Sequence, residues 1–484
     1  MDEEIELIDD QTTELEQLRK LHKLNLENKK EEKEVPKVEE QNEKTQEVQI
    51  EKVEVKEVKS KKEKTKKSKR RLGIRLILLS ILLIPLFAYL YIISLHSNRL
   101  INETLSIVML VLALLSVFIL VAGICITATN KKTKADKKLK VWVKAIMGTF
   151  FTGYVTVSTI VMVLLYGPSA GFRDWLVTTA MMTMNHQYLA EWFYDDITIN
   201  GILKSNTVVE SGEDTNPDLI DISGGTVEQT FYANKYEEEI LKKDEGNDLY
   251  KIIDIKHKNF KGKMAVIYDP SKVKLAVSKG TGNELTSSYG QMITTMSKDN
   301  NAIIAMNAGG FYDPNWNSSG GVPHGVVISN GKLIANNKRA VSVGGIIGFN
   351  KENKLVLAKM SAQEALNQGL RDAVDFGPFL IVNGKSSFIN GNGGWGVSPR
   401  SAIAQRKDGI VLFLVIDGRQ ASSPGADMDD LVEVLLNYGA YNAANLDGGT
   451  SSAMSYNHKI ITNPRNGNFQ AKTRAVPNAW IVVK

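Results

Sequence analysis

The chain contains a single cysteine, Cys125, and this residue lies within an apolar run. Residues 167–484, an ordinary globular mix rich in glycine and asparagine, contain none. This region therefore forms no disulfide and no thiolate metal site. Because secreted animal domains often carry disulfides, their absence favours a bacterial source.

Motifs of several common hydrolase classes are also missing. The chain has no GxSxG sequence, no HExxH sequence and no Walker loop. The histidines beyond residue 166 stand in no metal-ligand spacing; they are His186, His257, His324 and His458. A zinc hydrolase is therefore not expected, and the sequence assigns no metal ligand and no certain cofactor. Binding of a hard divalent cation such as calcium by aspartate and backbone oxygens stays open as an alternative.

The first 72 residues lack tryptophan, phenylalanine and tyrosine and consist mostly of lysine and glutamate. Such a segment buries too little apolar surface to offset its ordering entropy. We predict a disordered charged tail over 1–72, with at most a transient helix at Glu14–Leu26. Most of the net charge of +5 comes from lysine blocks beside apolar runs, so it does not indicate a nucleic-acid partner.

Residues 73–166 contain three apolar runs, each long enough for the roughly 20 residues that cross a bilayer. They start at Ile74, at about Leu105 and at about Ala145. Lysine and arginine precede the first run and separate the second from the third, whereas the loop between the first two has only Arg99. Since positive loops stay inside, we predict a cytoplasmic N-terminus, three spans in the lipid bilayer and an extracellular segment after Tyr166.

Residues 167–248 are predicted to form an amphipathic juxtamembrane segment, Gly171–Ile199, followed by a polar linker. The segment would lie on the outer membrane surface or pack on the following domain. Residues 249–484 alternate apolar and polar positions and contain several hairpin turns such as Asn-Gly. This pattern predicts that residues 249–484 form a strand-rich α+β domain with a mixed sheet.

The stretch Ile410–Gly449 has the pattern of a strand, a loop, a helix and a second strand. A crossover of this length usually joins parallel strands, so Asp417 and Asp447 are expected at the carboxyl ends of neighbouring strands. Ligand crevices form at that edge of α/β sheets. The ordinary alternative is that each Asp-Gly pair is only a turn.

The helix of this crossover, Asp427–Gly439, has leucines and a valine at helical spacing. We predict that its apolar face consists of Leu431, Val432, Leu435 and Leu436. After Asp447, residues Gly448 and Gly449 permit close approach of a ligand. Thr450, Ser451 and Ser452 then offer hydroxyl and backbone N–H groups for an anion or a sugar.

A third buried strand ends in Asn307 and is followed by Ala-Gly-Gly-Phe. Asn307 is a candidate for binding a sugar hydroxyl, and Phe311 for stacking on a sugar; the alternative is a glycine bulge with core aromatics. Arg400 stands between a proline and a strand and fits a phosphate by its geometry. Arg419 and Arg474 are weaker candidates.

Four stretches together resemble the phosphodiester glycosidase family. They are NAGGF, GPFLIVNG, PRSAIA and the block from VIDGRQ to LDGGTSSAM. The resemblance covers about Leu249–Lys484, and Thr450 stands where many members have a third glycine. It implies hydrolysis of a sugar–phosphate diester at the anomeric carbon; many bacterial members are linked to exopolysaccharides. The motif positions are Asn307, Gly309, Gly310, Arg400, Asp417, Arg419, Asn445, Asp447, Gly448, Gly449 and Ser451.

Our hypothesis gives Asp447 the sugar-side role, as nucleophile or base, and Arg400 the phosphate-side role. Asp417 would orient a sugar hydroxyl or act as a second carboxylate. Phe311 and the remaining motif residues would bind the glycan or sugar-phosphate substrate. Two alternatives stay open: a non-catalytic, membrane-anchored glycan-binding module, and a metal-dependent phosphodiesterase that cuts the P–O bond.

Overall fold

A computed structural model describes residues 39–99, 103–130, 141–183, 186–222, 231–314, 318–337 and 344–484. The transient helix expected at Glu14–Leu26 lies outside these residues. The chain divides into two compact units. One comprises Met1–Leu83 and Leu115–Met147, and the other comprises Ile84–Leu114 and Gly148–Lys484.

Within the described residues, three helices are long and apolar enough to cross a membrane, as the sequence predicted. They are α1 (Glu39–His96), α2 (Glu103–Thr129) and α3 (Val141–Tyr166). In the first unit, α1 and α2 approach closely through small residues. A Cβ atom on Gly73 would lie 2.5 Å from the Thr127 Oγ1 and 2.9 Å from the Gly123 carbonyl oxygen. Such small-residue contacts are typical of helix packing in membranes.

Residues 39–72, in the segment for which the sequence predicts disorder, belong to the continuous helix α1. Lysine and glutamate are good helix formers, and pairs such as Glu57 and Lys61 stand four residues apart. The segment also continues an apolar helix, so it needs no separate nucleation step. The composition of residues 39–72 alone did not predict that they continue the helix of the first apolar run.

Three short helices follow the third apolar helix: α4 (Ala170–Met181), α5 (Tyr188–Glu191) and α6 (Asp196–Ser205). They pack around buried Val177, Tyr194 and Ile202. Residues 207–222, within the predicted linker, contact the domain directly. For example, the Thr215 N–H donates to the Leu357 carbonyl over 3.0 Å.

The remaining helices are short, and the strands are numerous. The helices are α7 (Lys235–Leu241), α8 (Ile293–Asp299), α9 (Ala362–Asn367) and α10 (Met428–Asn437). The strands are β1 (Val208–Val209), β2 (Tyr250–His257), β3 (Phe260–Ile267), β4 (Val273–Val277), β5 (Ala302–Asn307), β6 (Gly325–Ser329), β7 (Lys332–Asn337), β8 (Gly345–Asn350), β9 (Leu355–Ala358), β10 (Leu370–Phe376), β11 (Phe379–Val382), β12 (Lys385–Ser386), β13 (Phe388–Ile389), β14 (Arg400–Arg406), β15 (Val411–Ile416), β16 (Ala440–Asn445), β17 (Met454–Tyr456), β18 (Lys459–Ile460) and β19 (Asn478–Val483).

Three larger sheets build the domain. A seven-stranded sheet has the order β12-β11-β16-β14-β15-β3-β2, and two five-stranded sheets have the orders β7-β6-β10-β8-β9 and β18-β17-β5-β19-β4. The α+β, strand-rich fold class is therefore confirmed. The mixed sheet is wrong, because every strand pair in the described residues is antiparallel. Six of the fifteen pairs are hairpins of consecutive strands, where short turns permit only antiparallel neighbours.

Strand β15 shows why this sheet is buried on both faces. Phe413 and Val415 point into the main core between the sheets. Leu412 and Leu414 point the other way and pack against α10. A continuous apolar run of this kind is typical of a central strand covered on both faces.

The apolar face of α10 is narrower than the sequence predicted. Leu431, Val432 and Leu435 are buried, but Leu436 is 43 % exposed. The helix lies on the sheet with one stripe only, and Leu436 falls on its solvent edge.

Replacing Leu435 by alanine should destabilise the domain by about 2–5 kcal/mol, because it leaves a cavity under α10. The neighbouring Leu436→Ala variant is the matched control and should cost less than about 1 kcal/mol. Thermal unfolding of the purified protein in one detergent measures both. Equal losses of stability would contradict this packing of α10.

Candidate active site

The order of strands brings the predicted catalytic residues to one edge of the seven-stranded sheet. Strands β15 and β16 run in parallel but are not neighbours, since β14 lies between them and is antiparallel to both. Arg400, the first residue of β14, pairs with Ile416 at the end of β15. Ala402 pairs with Asn445 at the end of β16. The expectation that β15 and β16 are neighbours is thus wrong, but Asp417 and Asp447 still lie at the same edge of the seven-stranded sheet, just beyond the ends of these strands.

Asp447 is half-buried and follows β16 after one residue. Its Oδ2 atom is buried and has no hydrogen-bond partner in the described part of the chain. Burial raises the pKa of Asp447 to about 6, against the opposing effects of Ser451, Arg474 and the Gly448 backbone. An ionised carboxylate at this point lacks the solvation that water would supply, which is typical of functional carboxylates.

Asn307 holds the loop that carries Asp447. Its Nδ2 atom donates to the Asp447 carbonyl oxygen over 2.6 Å. Its Oδ1 atom accepts from the Ser401 hydroxyl over 2.8 Å and from the Ala453 N–H over 3.1 Å. Because these bonds occupy both ends of a fully buried amide, Asn307 positions the loop rather than offering free groups to a sugar.

Asp417 is also engaged with the protein. Its Oδ1 atom accepts from the Asn463 N–H over 2.7 Å, and its Oδ2 atom accepts from the Asn463 Nδ2 over 3.1 Å. The carboxylate therefore anchors the segment after β18. The sequence offered no signal for Asn463, because it lies 46 residues from its partner.

Arg400 is buried and held by three backbone carbonyls. Its Nε donates to Ala426 over 3.1 Å, and its Nη2 donates to both Trp395 and Gly396 over 2.5 Å. Its Nη1 atom donates to none of the described residues and lies 3.6 Å from where a Cβ of Gly448 would be. Burial lowers the pKa of Arg400 to about 10, so it stays charged at neutral pH.

Arg419 lies across the same loop in a left-handed backbone conformation, with φ of 59°. Its Nη1 atom donates to the Thr450 hydroxyl over 3.0 Å and to the Arg465 carbonyl over 3.1 Å. Thr450, the departure from the family pattern, thus supplies an acceptor for Arg419. Burial lowers the pKa of Arg419 from its usual value.

The glycine pair Gly309–Gly310 is required by packing. A Cβ on Gly310 would lie 2.5 Å from the Phe376 ring. The Gly309 N–H donates to the Asn478 Oδ1 over 2.8 Å. Phe311 is buried beneath the Arg474 guanidinium, 4.4 Å from the ring centroid, and so does not present a stacking face to a sugar. These contacts favour the glycine bulge with core aromatics, which the sequence had left as the alternative.

The loop after β16 carries several unsatisfied polar atoms. Asn445 donates from Nδ2 to the Gly377 carbonyl over 2.9 Å, but its Oδ1 atom is buried without a partner among the described residues. The same holds for the Ser452 hydroxyl. Ser451 is buried and hydrogen-bonds the Asp447 carboxylate. Orphaned buried groups are uncommon in native proteins, and three of them lie in residues 445–452, which makes this segment a candidate site.

Asp313 was missed by reasoning from the sequence. It forms an ion pair with Arg474 over 2.8 Å, and its side chain is 6 % exposed. The two act on Asp447 in opposite directions: Asp313 raises the pKa of Asp447, and Arg474 lowers it. Asp313 stands two residues after the NAGGF motif, but no spacing rule joins it to Arg474.

His324 is half-buried and stacks on Phe376, with the ring centroids 6.4 Å apart. Burial lowers the pKa of His324, so the imidazole is neutral at neutral pH. Its backbone N–H donates to the Gly310 carbonyl over 2.9 Å. These contacts fit the structural role that the sequence favoured for this histidine.

A cavity of about 320 Å³ lies beside the DGG loop. Its walls combine hydroxyl, amide and cationic side chains: Ser318, Ser319, Thr450, Asn466, Lys472 and Arg474. The volume lies within the range of small-ligand pockets.

One cluster in the described residues has the composition of a cation site: His257, Asp430 and Glu433. The Lys258 ammonium lies 2.8 Å from Asp430 and 2.9 Å from Glu433. This ion pair neutralises the carboxylates, so the cluster is better explained by lysine than by a metal. None of its members belongs to the edge that carries Asp447.

Comparison with protein families supports the sequence resemblance. Residues 300–483 match the phosphodiester glycosidase family. Every site residue predicted from the sequence lies within the matched residues 300–483. The match begins in the turn before β5, so strands β2 to β4 lie outside it.

The SPbeta prophage-derived protein YomE of Bacillus subtilis (strain 168) is 29 % identical over 184 residues, which is 37 % of this chain and 28 % of that protein. The chain thus matches less than a third of YomE's length. The zebrafish N-acetylglucosamine-1-phosphodiester alpha-N-acetylglucosaminidase catalytic domain, auto-inhibited by its pro-peptide, is 21 % identical, with a TM-score of 0.41 and coverage of 49 % of this chain and 82 % of that one. A Burkholderia pseudomallei K96243 protein is 17 % identical, with a TM-score of 0.33 and coverage of 46 % and 74 %.

Asp447→Asn should stabilise the protein above pH 6. Because the pKa of Asp447 is raised by folding, the native state loses stability as pH rises from about 4 through 6. The asparagine variant avoids this loss, which amounts to about 3 kcal/mol for a shift of about two units.

Melting temperatures of both proteins between pH 4 and 8 measure the effect. The difference should be smallest at pH 4, where the carboxyl group is protonated in the native state and about half protonated in the unfolded state. Asp408→Asn, at the opposite end of β14, is the control for the substitution itself. Identical melting temperatures of wild type and Asp447→Asn at pH 7.5 would disprove the burial penalty.

Proposed function

We propose that residues 249–484 hydrolyse the bond between the anomeric carbon of a sugar and the phosphate of a phosphodiester glycoside. The observation that carries this proposal is that two polar groups at one sheet edge are left for a ligand. Among the described residues, the Asp447 Oδ2 is buried without a partner, and the Arg400 Nη1, which donates to none of them, lies against the adjacent Gly448. A substrate with a cationic transition state on one side and a phosphate on the other complements both.

The chemistry of the bond fits these two groups. Cleavage at an anomeric carbon develops positive charge on the sugar, and a carboxylate stabilises it or attacks it. With a pKa of about 6, Asp447 is ionised in most molecules at neutral pH, as a nucleophile or base requires. The phosphate leaves with its negative charge, which the Arg400 guanidinium would balance through Nη1.

Other site residues have supporting roles in this proposal. Asp417 anchors Asn463 instead of acting as the second carboxylate, since both its oxygens accept hydrogen bonds from that residue. Ser451 and Asn445 adjoin the sugar side. The ion pair of Asp313 and Arg474 adjusts the pKa of Asp447, which Asp313 raises and Arg474 lowers.

The setting of the reaction is proposed from the sequence of the membrane segment. Lysine-rich blocks precede the first apolar run and follow the second, which supports an N-terminus in the cytoplasm and a C-terminal domain outside the cell. The substrate would then be a glycan of a bacterial cell envelope or an exopolysaccharide. Thr450 lines the cavity beside the DGG loop, where a third glycine would leave more room for the substrate.

Product analysis tests the proposed function. The full-length protein in detergent is incubated with a nucleotide sugar or a teichoic-type glycan, with and without a chelator. Free sugar and a phosphomonoester are expected, and the rate should not change with chelator. Asp447→Asn should lower the rate by about 10²–10⁴-fold, as for loss of a catalytic acid or base.

The control is Asp408→Asn, which makes the same substitution in an ion pair with Arg406 far from the edge. Sugar phosphate as product, lost with chelator, would instead identify a metal-dependent phosphodiesterase. Binding without any product would identify a glycan-binding module. Normal sugar release by Asp447→Asn would remove Asp447 from the reaction.

The pH dependence distinguishes the role of Asp447. As a nucleophile or base it must be ionised, so kcat/KM should fall about tenfold for each pH unit below about 6. Initial rates between pH 4 and 8 measure this limb. A rate that instead falls as pH rises above 6 would make Asp447 a general acid.

A further inference from the structure

A glycine-rich loop between β13 and β14, Asn390–Ser398, holds the Arg400 guanidinium. The carbonyls of Trp395 and Gly396 both accept from Arg400 Nη2 over 2.5 Å. The Arg400 Nε donates a third hydrogen bond to the carbonyl of Ala426, and Ala426 pairs with Ser398 through the backbone. The direction of the free Nη1 therefore depends on where this loop lies.

The juxtamembrane helix α4 is the support of this loop. The Val397 N–H donates to the Thr179 hydroxyl over 3.2 Å, and the Asn392 Nδ2 donates to the Thr178 hydroxyl over 2.7 Å. Gly396 has φ of 59°, and a Cβ there would lie 2.5 Å from the Thr179 Cα. The loop thus lies directly on the helix backbone.

The end of α6 supports the loop from a second side. The Asn206 Oδ1 accepts from the Asn392 N–H over 3.0 Å, and its Nδ2 donates to Asp174 of α4 over 3.0 Å. A Cβ on Gly394 would lie 2.2 Å from the Asn206 carbonyl oxygen. Asn206 is 2 % exposed, so these bonds are shielded from water.

Helices α4 to α6 are in turn attached to the outer ends of the apolar helices, all within the second compact unit. The Tyr194 hydroxyl donates to the Leu165 carbonyl over 2.8 Å at the end of α3. Arg99, after α1, forms an ion pair of 2.6 Å with Glu191. The Asn98 N–H donates to the Tyr194 carbonyl over 3.3 Å. A continuous set of contacts joins two apolar helices to the loop that holds Arg400.

The geometry points to Thr179 as a positioning residue for Arg400, and to helices α4–α6 as a wall of the catalytic site rather than a spacer. This inference rests on the proposed function, in which Arg400 Nη1 binds the phosphate. It gives the multiple membrane spans a purpose beyond anchoring, since contacts from α1 and α3 together fix the platform on which the loop lies.

The test uses the full-length protein in lipid nanodiscs and three single variants. Thr179→Val removes the hydroxyl that accepts from Val397 and keeps the side-chain shape. Thr179→Ser restores the hydroxyl and is the rescue variant. Thr183→Val is the matched control, because Thr183 lies just after α4 and, among the described residues, its hydroxyl donates only to the Ala180 carbonyl within the helix.

Two measurements do not depend on catalysis. Hydrogen exchange of residues 390–398 should become faster in Thr179→Val only. The Kd for inorganic phosphate, measured by calorimetry, should rise about fivefold, as expected for loss of one hydrogen bond. If the enzyme turns over, KM should rise by a similar factor with a smaller change in kcat, because Asp447 is unaffected.

The inference is supported if Thr179→Ser behaves as wild type and Thr183→Val changes neither measurement. It is overturned if Thr179→Val matches the Thr183→Val control, if exchange quickens while phosphate affinity is unchanged, or if the wild type binds no phosphate. Failure of the proposed function has a different signature: phosphate binding and loop protection respond to Thr179→Val, but no sugar is released from any phosphodiester glycoside.

Discussion

The antiparallel placement of β14 between β15 and β16 is the constraint on which the site depends. An antiparallel strand begins where its two neighbours end, so a residue at its start meets residues beyond their ends. Here that rule places Arg400 between the segments that carry Asp417 and Asp447. A direct parallel pairing of β15 and β16 would have left no position for a cation between the two carboxylates.

The polar residues at this edge divide into those satisfied by the protein and those left unsatisfied. Asn307 and Asp417 use their side chains to hold the loops around the site. Asp447, Asn445 and Ser452 keep buried atoms without partners in the described residues. Motif position alone does not separate the two groups, because both consist of the residue types that bind sugars. The hydrogen bonds separate the two groups, because a side chain whose polar atoms are all bonded within the protein has none left for a ligand.

The four stretches that carry the sequence resemblance all lie within residues 300–483, which match the phosphodiester glycosidase family. Reasoning from single residues was less successful where partners lie far apart in the chain. Asp313 and Arg474 form their ion pair across 161 positions, and the support of Arg400 comes from α4, more than 200 residues earlier. Local patterns report on neighbours within a few residues, so contacts of this kind escape them.

Composition and periodicity by themselves determined the three apolar helices, the strand-rich α+β class, the crossover helix α10 and the Asp-Gly segments, because each depends on the local chain. Tertiary structure decided which carboxylate stays free, why Leu436 is exposed while Leu435 is buried, and that the domain rests on the juxtamembrane helices. These features depend on the order in which strands pair and on what then lies beside each side chain. A single sequence does not contain that order in any local pattern, since a central strand such as β15 is apolar on both faces.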